Sequence, residues 1–253
     1  MDTARFLRKG FDIVPAENPD KLVELREKIF QKARQLVDYQ NEDVEEFFNK
    51  FHRYESGGSS LNEKRVELVR YCSEQLDVGT ALFEAFPSSI MQLVGPDILV
   101  QKTVGLVIQP PGDPDQVPIH RDSPPNSIFE VVVWLPLVDV YGTKSMFMLD
   151  RKQTDAALGL LKDPESGYEG YKRYAAHEGE ILTLPFGNAC FFWTGLVHGC
   201  PISTENETRW VLNVRYKNLF SPVGPKGLGE FFDLFRLSPL TRMALEYEKE
   251  VHG

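Results

Sequence analysis

The hydrophobic period of this chain changes at Ile98, and that change restricts the folds open to it. Before Ile98, apolar residues recur at helical spacing: Leu22, Leu25, Ile29, Ala33 and Leu36 predict an amphipathic helix from about Pro19 to Val37. Ser60 and Glu63 read as a capping box after the Gly57-Gly58 break, opening a helix through about Leu76. A third helical stretch carries Leu82, Phe83, Phe86, Met91 and Val94 and is interrupted at Pro87. Phe47, Phe48 and Phe51 read as packing residues. After Ile98 the apolar runs become short, rich in β-branched residues and bounded by turn residues, over 98–109, 129–138, 145–149, 180–184, 188–197 and 209–216. A short helix over 154–161, a long surface loop over 163–178 and a helical tail over 227–247 complete the reading. Short strands with turn-rich joints predict a mainly β fold with flanking α, a double-stranded β-helix or jelly roll. At 253 residues, one domain is expected, with a helical brace over 1–97, a jelly-roll core over 98–220 and a C-terminal helical segment over 221–253.

Inside the β region lies a metal-ligand pattern. His120-Arg121-Asp122 puts an imidazole and a carboxylate two residues apart, and on an extended strand such side chains share a face. A second histidine, His198, closes the run 188–197 and is followed by Gly199. Two neutral imidazoles and one carboxylate are the facial ligand set of non-heme Fe(II) oxygenases, which leaves the opposite side of the ion open. Beyond it, alternation over 209–216 places Arg209, Val211, Asn213 and Arg215 on one face and Trp210, Leu212, Val214 and Tyr216 on the other. One face is apolar and aromatic; its opposite carries two fixed cations.

These residues carry a resemblance. The chain resembles the Fe(II)/2-oxoglutarate-dependent dioxygenase superfamily over about residues 98–220, closest in pattern to the phytanoyl-CoA dioxygenase-like group. The matching parts are His120-Arg121-Asp122, His198 with Gly199, Arg209 at the family's cosubstrate spacing, the strand ending Val133-Trp134-Leu135-Pro136-Leu137, and the element beginning Glu178-Gly179-Glu180-Ile181-Leu182. The resemblance implies that His120, Asp122 and His198 bind Fe(II) and that Trp134 lies beside the cosubstrate. Cys200 stands where relatives often keep a small hydroxyl residue, and a thiol is a poorer donor to 2-oxoglutarate. A diacid cosubstrate also presents a distal carboxylate, which a guanidinium matches as a planar, two-pronged, always-charged partner. Arg209 is the expected partner. Arg215 shares its face and is the alternative, or else binds an anionic group on the substrate, with Asn213 beside it.

The implied reaction couples oxidative decarboxylation of 2-oxoglutarate by O2, giving succinate and carbon dioxide, to hydroxylation of a small-molecule C–H bond. Desaturation, epimerisation and ring closure occur in the same superfamily, but Asp122 speaks against halogenation, because family halogenases replace that carboxylate. Gly142-Thr143-Lys144-Ser145-Met146 is similar to a stretch in relatives associated with carbohydrate biosynthesis, which makes a sugar-derived substrate the lead. Two other readings fit parts of the pattern: a cupin-like metal-dependent sugar isomerase or epimerase, and a non-catalytic carbohydrate-binding jelly roll. Neither needs Arg209 or 2-oxoglutarate.

A formal charge of −9 argues against a nucleic-acid or anionic-membrane partner. Three scattered cysteines make neither a disulfide framework nor a zinc cluster. With no signal pattern at the N-terminus and no apolar run of membrane-spanning length, a reducing cytoplasm is expected. His177 is expected to be exposed, Cys190 to be a small buried hydrophobe, and His52 and His252 to lie outside the site.

Overall fold

The computed structural model describes all residues except 38, 55–58, 115–117, 223 and 253, and only the backbone of 59, 60 and 248–252. Six helices and one strand precede the β region: α1 (Thr3–Lys9), β1 (Phe11–Pro15), α2 (Pro19–Arg34), α3 (Val44–Tyr54), α4 (Ser59–Glu74), α5 (Val78–Ala85) and α6 (Pro87–Val94). There follow β2 (Ile98–Gln101), β3 (Gly105–Gln109), β4 (Glu130–Pro136) and β5 (Phe147–Met148). Next come α7 (Arg151–Lys162), α8 (Gly167–Glu178), β6 (Glu180–Ile181), β7 (Asn188–Trp193) and β8 (His198–Gly199). The chain ends with β9 (Arg209–Asn218), β10 (Phe232–Arg236) and α9 (Pro239–His252).

The strands form a jelly roll of two antiparallel sheets. The larger runs β1-β7-β4-β9-β2-β10, with β3 also paired to β9; the smaller runs β6-β5-β8. β9 organises the molecule because its two faces separate as the alternation requires. Trp210, Leu212, Val214 and Tyr216 are fully buried against the helical layer. Trp210 meets Phe48 and Phe51 edge-on, both at 4.9 Å between centroids. Fully burying one such side chain contributes about 1.5–3 kcal/mol, so this seam fixes the helices on the sheet. From the other face, Val211 joins Trp134, Met146, Phe192 and Leu196 between the two sheets.

Helix α2 buries the expected stripe, Leu22, Leu25, Ile29 and Ala33, and has Pro19 in its first turn. It stops at Arg34, short of Val37. The Gly57-Gly58 break and the Ser60 cap fall outside the described residues and side chains, as does the side chain of His252.

Four elements depart from the sequence reading. The brace over 1–97 is not wholly helical, since β1 pairs with β7 from Phe11↔Phe192 to Pro15↔Asn188. The run 98–109 is two strands: Ile98↔Asn218 and Gly105↔Asn213 belong to registers two residues apart. The segment 163–178 is not a loop. It contains α8, whose Tyr171 and Ala175, four apart on one face, pack with Ala157 of α7 and with Phe147, Leu149 and Val197. Two glycines, Gly167 and Gly170, and a polar composition hide that helix. In the tail, β10 takes the open edge of β2, with Phe232 buried at its start and the register shifting between Leu234 and Arg236, and the helix starts only at Pro239. No helix of the described residues is long and apolar enough to cross a membrane.

Candidate metal centre

The two histidines are brought together by the main chain. Each donates its backbone N–H to the other's carbonyl at 2.9 Å, forming an isolated antiparallel bridge between His120 and His198. The run 188–197 is therefore not one strand. β7 ends at Trp193, and a turn closed by Leu196 N–H to the Trp193 carbonyl (3.1 Å) carries the chain to the other sheet, where Met148 pairs with His198. Gly195 makes the turn feasible, since a Cβ there would lie 2.4 Å from the Trp193 ring. Gly199 likewise lets Ile119 approach: a Cβ would sit 3.2 Å from its Cα.

Asp122 lies beyond the bridge in a turn, not on a regular strand. That turn is tied to the β7–β8 turn by Ser123 N–H to the Thr194 carbonyl (3.0 Å) and by the Thr194 hydroxyl to the Ser127 carbonyl (2.8 Å). Asn126 donates its backbone and side-chain N–H to the Asp122 carbonyl. The result is a cluster in which one ligand atom from each of His120, Asp122 and His198 lies within 4.8 Å of the others.

The imidazole tautomers suit a metal. His120 Nδ1 is 2.8 Å from the Pro118 carbonyl and His198 Nδ1 is 3.0 Å from the Leu196 carbonyl. A carbonyl can only accept, so each Nδ1 carries the proton and each Nε2 offers a lone pair. Burial first, then the neighbouring His120 ring, pushes His198 down to about 4, so it is neutral near pH 7. Burial also pulls His120 down, but the Asp122 carboxylate and the Pro118 carbonyl beside it favour its protonated form and leave it above its ordinary value. For Asp122, burial favours the neutral acid; the neighbouring His120 ring and the Arg215 guanidinium outweigh it and hold the carboxyl well below the usual range.

A cavity of about 230 Å³ opens beside the cluster, lined in part by Trp134, Cys200, Arg209, Asn213 and Arg215. The structure thus gathers every site residue expected from the sequence. Trp134 is almost wholly buried and Cys200 half-buried. Arg209 is 3 % exposed, yet forms no ion pair among the described residues. Its guanidinium instead donates to the Ser145 carbonyl at 3.2 Å and to Gln109 Oε1. Arg209 Nε, Gln109 Nε2 and Ser145 Oγ are all buried without a hydrogen-bond partner. A buried cation surrounded by unused donors is costly unless an anion completes the set.

Arg215 is placed differently. Its Nη2 donates to Asp122 Oδ2 at 2.8 Å and its Nη1 to Gln101 Oε1 at 3.2 Å. The residues missed in the sequence are these partners, Gln109, Ser145 and Gln101, together with Glu130, whose Oε2 lies 4.0 Å from Arg215 Nε. Gln109 faces Arg209 through the β3–β9 register, which no local pattern discloses. Of the remaining histidines, His177 is exposed and His52 sits in α3 against Thr208. Cys190 is buried between strands.

No family profile matches the sequence, and no curated protein matches it. Solved structures do. A non-heme monooxygenase, the ThoJ nickel complex, is similar with a TM-score of 0.52 at 18% identity, over 98% of this chain and 94% of that one. EctD from S. alaskensis in its apo form gives 0.53 at 10%, over 87% and 77%. HygX from Streptomyces hygroscopicus, with nickel and 2-oxoglutarate bound, gives 0.52 at 10%, over 86% of each chain. At these identities the likeness establishes the jelly-roll fold. Function rests on the site's own chemistry.

Proposed function

We propose that this chain is an Fe(II)- and 2-oxoglutarate-dependent oxygenase of the phytanoyl-CoA dioxygenase-like group, acting on a small metabolite. The observation that carries the reading is Arg209, a buried guanidinium without a carboxylate partner among the described residues, in the same cavity as a His/Asp/His cluster. The cupin-like and lectin-like alternatives leave that cation unexplained. HygX binds nickel and 2-oxoglutarate on the same fold, and ThoJ is a non-heme monooxygenase, which supports the reading.

In this assignment His120 Nε2, His198 Nε2 and a carboxylate oxygen of Asp122 hold the iron. Iron and 2-oxoglutarate together supply the activation of O2, with succinate and carbon dioxide as co-products. Arg209 binds the distal carboxylate through its guanidinium, with Gln109 Nε2 and the Ser145 hydroxyl as further donors. Trp134 and Cys200 wall the cosubstrate. At about 230 Å³ the cavity is small for a ligand pocket, so a diacid fills much of it. Hydroxylation is the assigned outcome, with a carbohydrate-derived metabolite as the lead substrate. Three free cysteines agree with action in a reducing cytoplasm.

Anaerobic addition of 2-oxoglutarate to the Fe(II)-loaded protein tests this. The weak visible charge-transfer band of the chelate should appear, and aerobic incubation should release succinate. A folded, iron-loaded protein that shows neither is not an enzyme of this class.

A further inference from the structure

The two arginines on one face of β9 are satisfied in opposite ways. Arg209 has no carboxylate near it among the described residues. Arg215 has two: Asp122 Oδ2 lies 2.8 Å from Nη2, and Glu130 Oε2 lies 4.0 Å from Nε. The third side of the guanidinium meets Gln101 Oε1. Its side chain is only 15% exposed, so little of it is left for an external anion.

The backbone explains why Gln101 is there. β2 reaches β9 at Val100↔Tyr216 and β3 takes over at Gly105↔Asn213, so Arg215 falls in the gap between two ladders. Its N–H would be unpaired at that point, and Gln101 Oε1 accepts it at 3.1 Å. The same oxygen accepts from the Arg215 backbone and from its guanidinium, which fixes the side chain at both ends. Glu130 is held in turn by Ser127 N–H at 2.9 Å. The interruption between β2 and β3, which the sequence concealed, thus builds a hydrogen-bonded support behind Asp122.

We infer that Arg215 is a positioning residue for the metal-ligand carboxylate, holding Asp122 by Oδ2 so that Oδ1 alone is offered to the ion beside the two imidazoles. Oδ1 is the oxygen that faces His120 Nε2, at 3.6 Å. A carboxylate with one oxygen tied in a charge-assisted hydrogen bond is kept from closing on a metal with both. One coordination position stays free that a chelating carboxylate would occupy. This inference rests on the metal reading above and gives Arg215 a role other than contact with the substrate.

Cobalt(II) binding to the metal-free protein, without 2-oxoglutarate, tests it by calorimetry and by the visible d–d spectrum. Arg215→Met should weaken Co(II) binding about ten- to hundred-fold, the usual range for partners of metal ligands, and alter the d–d bands. Arg215→Lys, which restores charge without the fork, should recover part of the affinity. Gln101→Met leaves both charges in place and removes the oxygen that holds the Arg215 backbone N–H and guanidinium, so it should shift the spectrum in the same direction to a smaller extent. It decides the matter should Arg215→Met fail to fold. Folded variants that bind Co(II) within two-fold of the parent, with an unchanged spectrum, overturn the positioning role alone. A parent protein that binds no Co(II) overturns the metal reading and this inference with it.

Discussion

His120 and His198 are paired residue to residue across an antiparallel bridge, with both backbone hydrogen bonds at 2.9 Å and imidazole centroids 4.3 Å apart. Their separation is therefore a property of the main chain. Neither side chain is needed to keep the two positions adjacent, and the bridge is braced from behind by Ile119, Val197, Tyr171 and Ala175.

Alanine at His120, Asp122 or His198 should consequently abolish metal-dependent turnover and leave the fold in place. Each removes one ligand from an open site but neither bridge hydrogen bond. Metal content after dialysis and circular dichroism check this together. Near-normal iron retention and activity in Asp122→Ala would end the assignment of the cluster.

Arg209→Lys keeps the charge and loses the two-pronged geometry. Apparent affinity for 2-oxoglutarate should fall about ten-fold or more, the effect of losing one charge-assisted hydrogen bond of about 1.5–3 kcal/mol. Gln109→Leu, which removes a donor and the acceptor that orients Arg209, should shift affinity in the same direction. Titration of the metal-loaded protein with 2-oxoglutarate reads both. An unchanged dissociation constant in Arg209→Lys would place the distal carboxylate elsewhere.

What was legible in the sequence is what depends on neighbours in the chain. The two faces of β9 follow from period-two alternation, and the buried stripe of α2 follows from its 3.6-residue period. The cluster of His120, Asp122 and His198 was legible because two imidazoles and a carboxylate are rare in combination. What was hidden depends on partners distant in sequence. Phe11–Pro15 is a strand because β7 lends it an edge, and Phe232–Arg236 because β2 does. Gln109 and Gln101 serve the two arginines only through the registers of β3 and β2 on β9. Helix α8 was concealed for a local reason, its glycines, and is held by packing on α7 that outweighs propensity.

Cys200 should act as a wall residue. It is half-buried, lines the cavity and lies two positions past His198, outside the group of ligand atoms within metal-binding reach. Cys200→Ser should keep iron binding and turnover, with an equal or slightly better dissociation constant for 2-oxoglutarate because a hydroxyl is the stronger donor. Loss of iron in the folded serine variant would require sulfur among the ligands.

Lys144 has a fully buried side chain with Glu207 as its counterion, and it directly precedes Ser145, whose carbonyl holds Arg209. Its ammonium donates to Glu207 Oε2 at 2.8 Å and to Asn49 Oδ1 at 2.6 Å. The two partners respond unequally. Burial lowers Lys144 in spite of its counterion, whereas on Glu207, a quarter exposed, burial loses to the Lys144 hydrogen bond and charge and the carboxyl drops below its ordinary range. A depressed folded-state carboxyl contributes stability that is complete above its unfolded value, about 4.3, and is lost as pH falls through the folded value. Glu207→Gln should therefore cost about 1–3 kcal/mol at pH 7, since it leaves a buried ammonium with neutral acceptors only. The gap between parent and variant should narrow below about pH 4 as the parent's own carboxylate is protonated. Urea unfolding at pH 7, 5 and 3.5 measures it. Weaker 2-oxoglutarate binding should accompany the loss at pH 7, because the strut that sets the Ser145 carbonyl has gone slack. Equal stability of the two proteins at pH 7 would show that neutral acceptors suffice to hold Lys144.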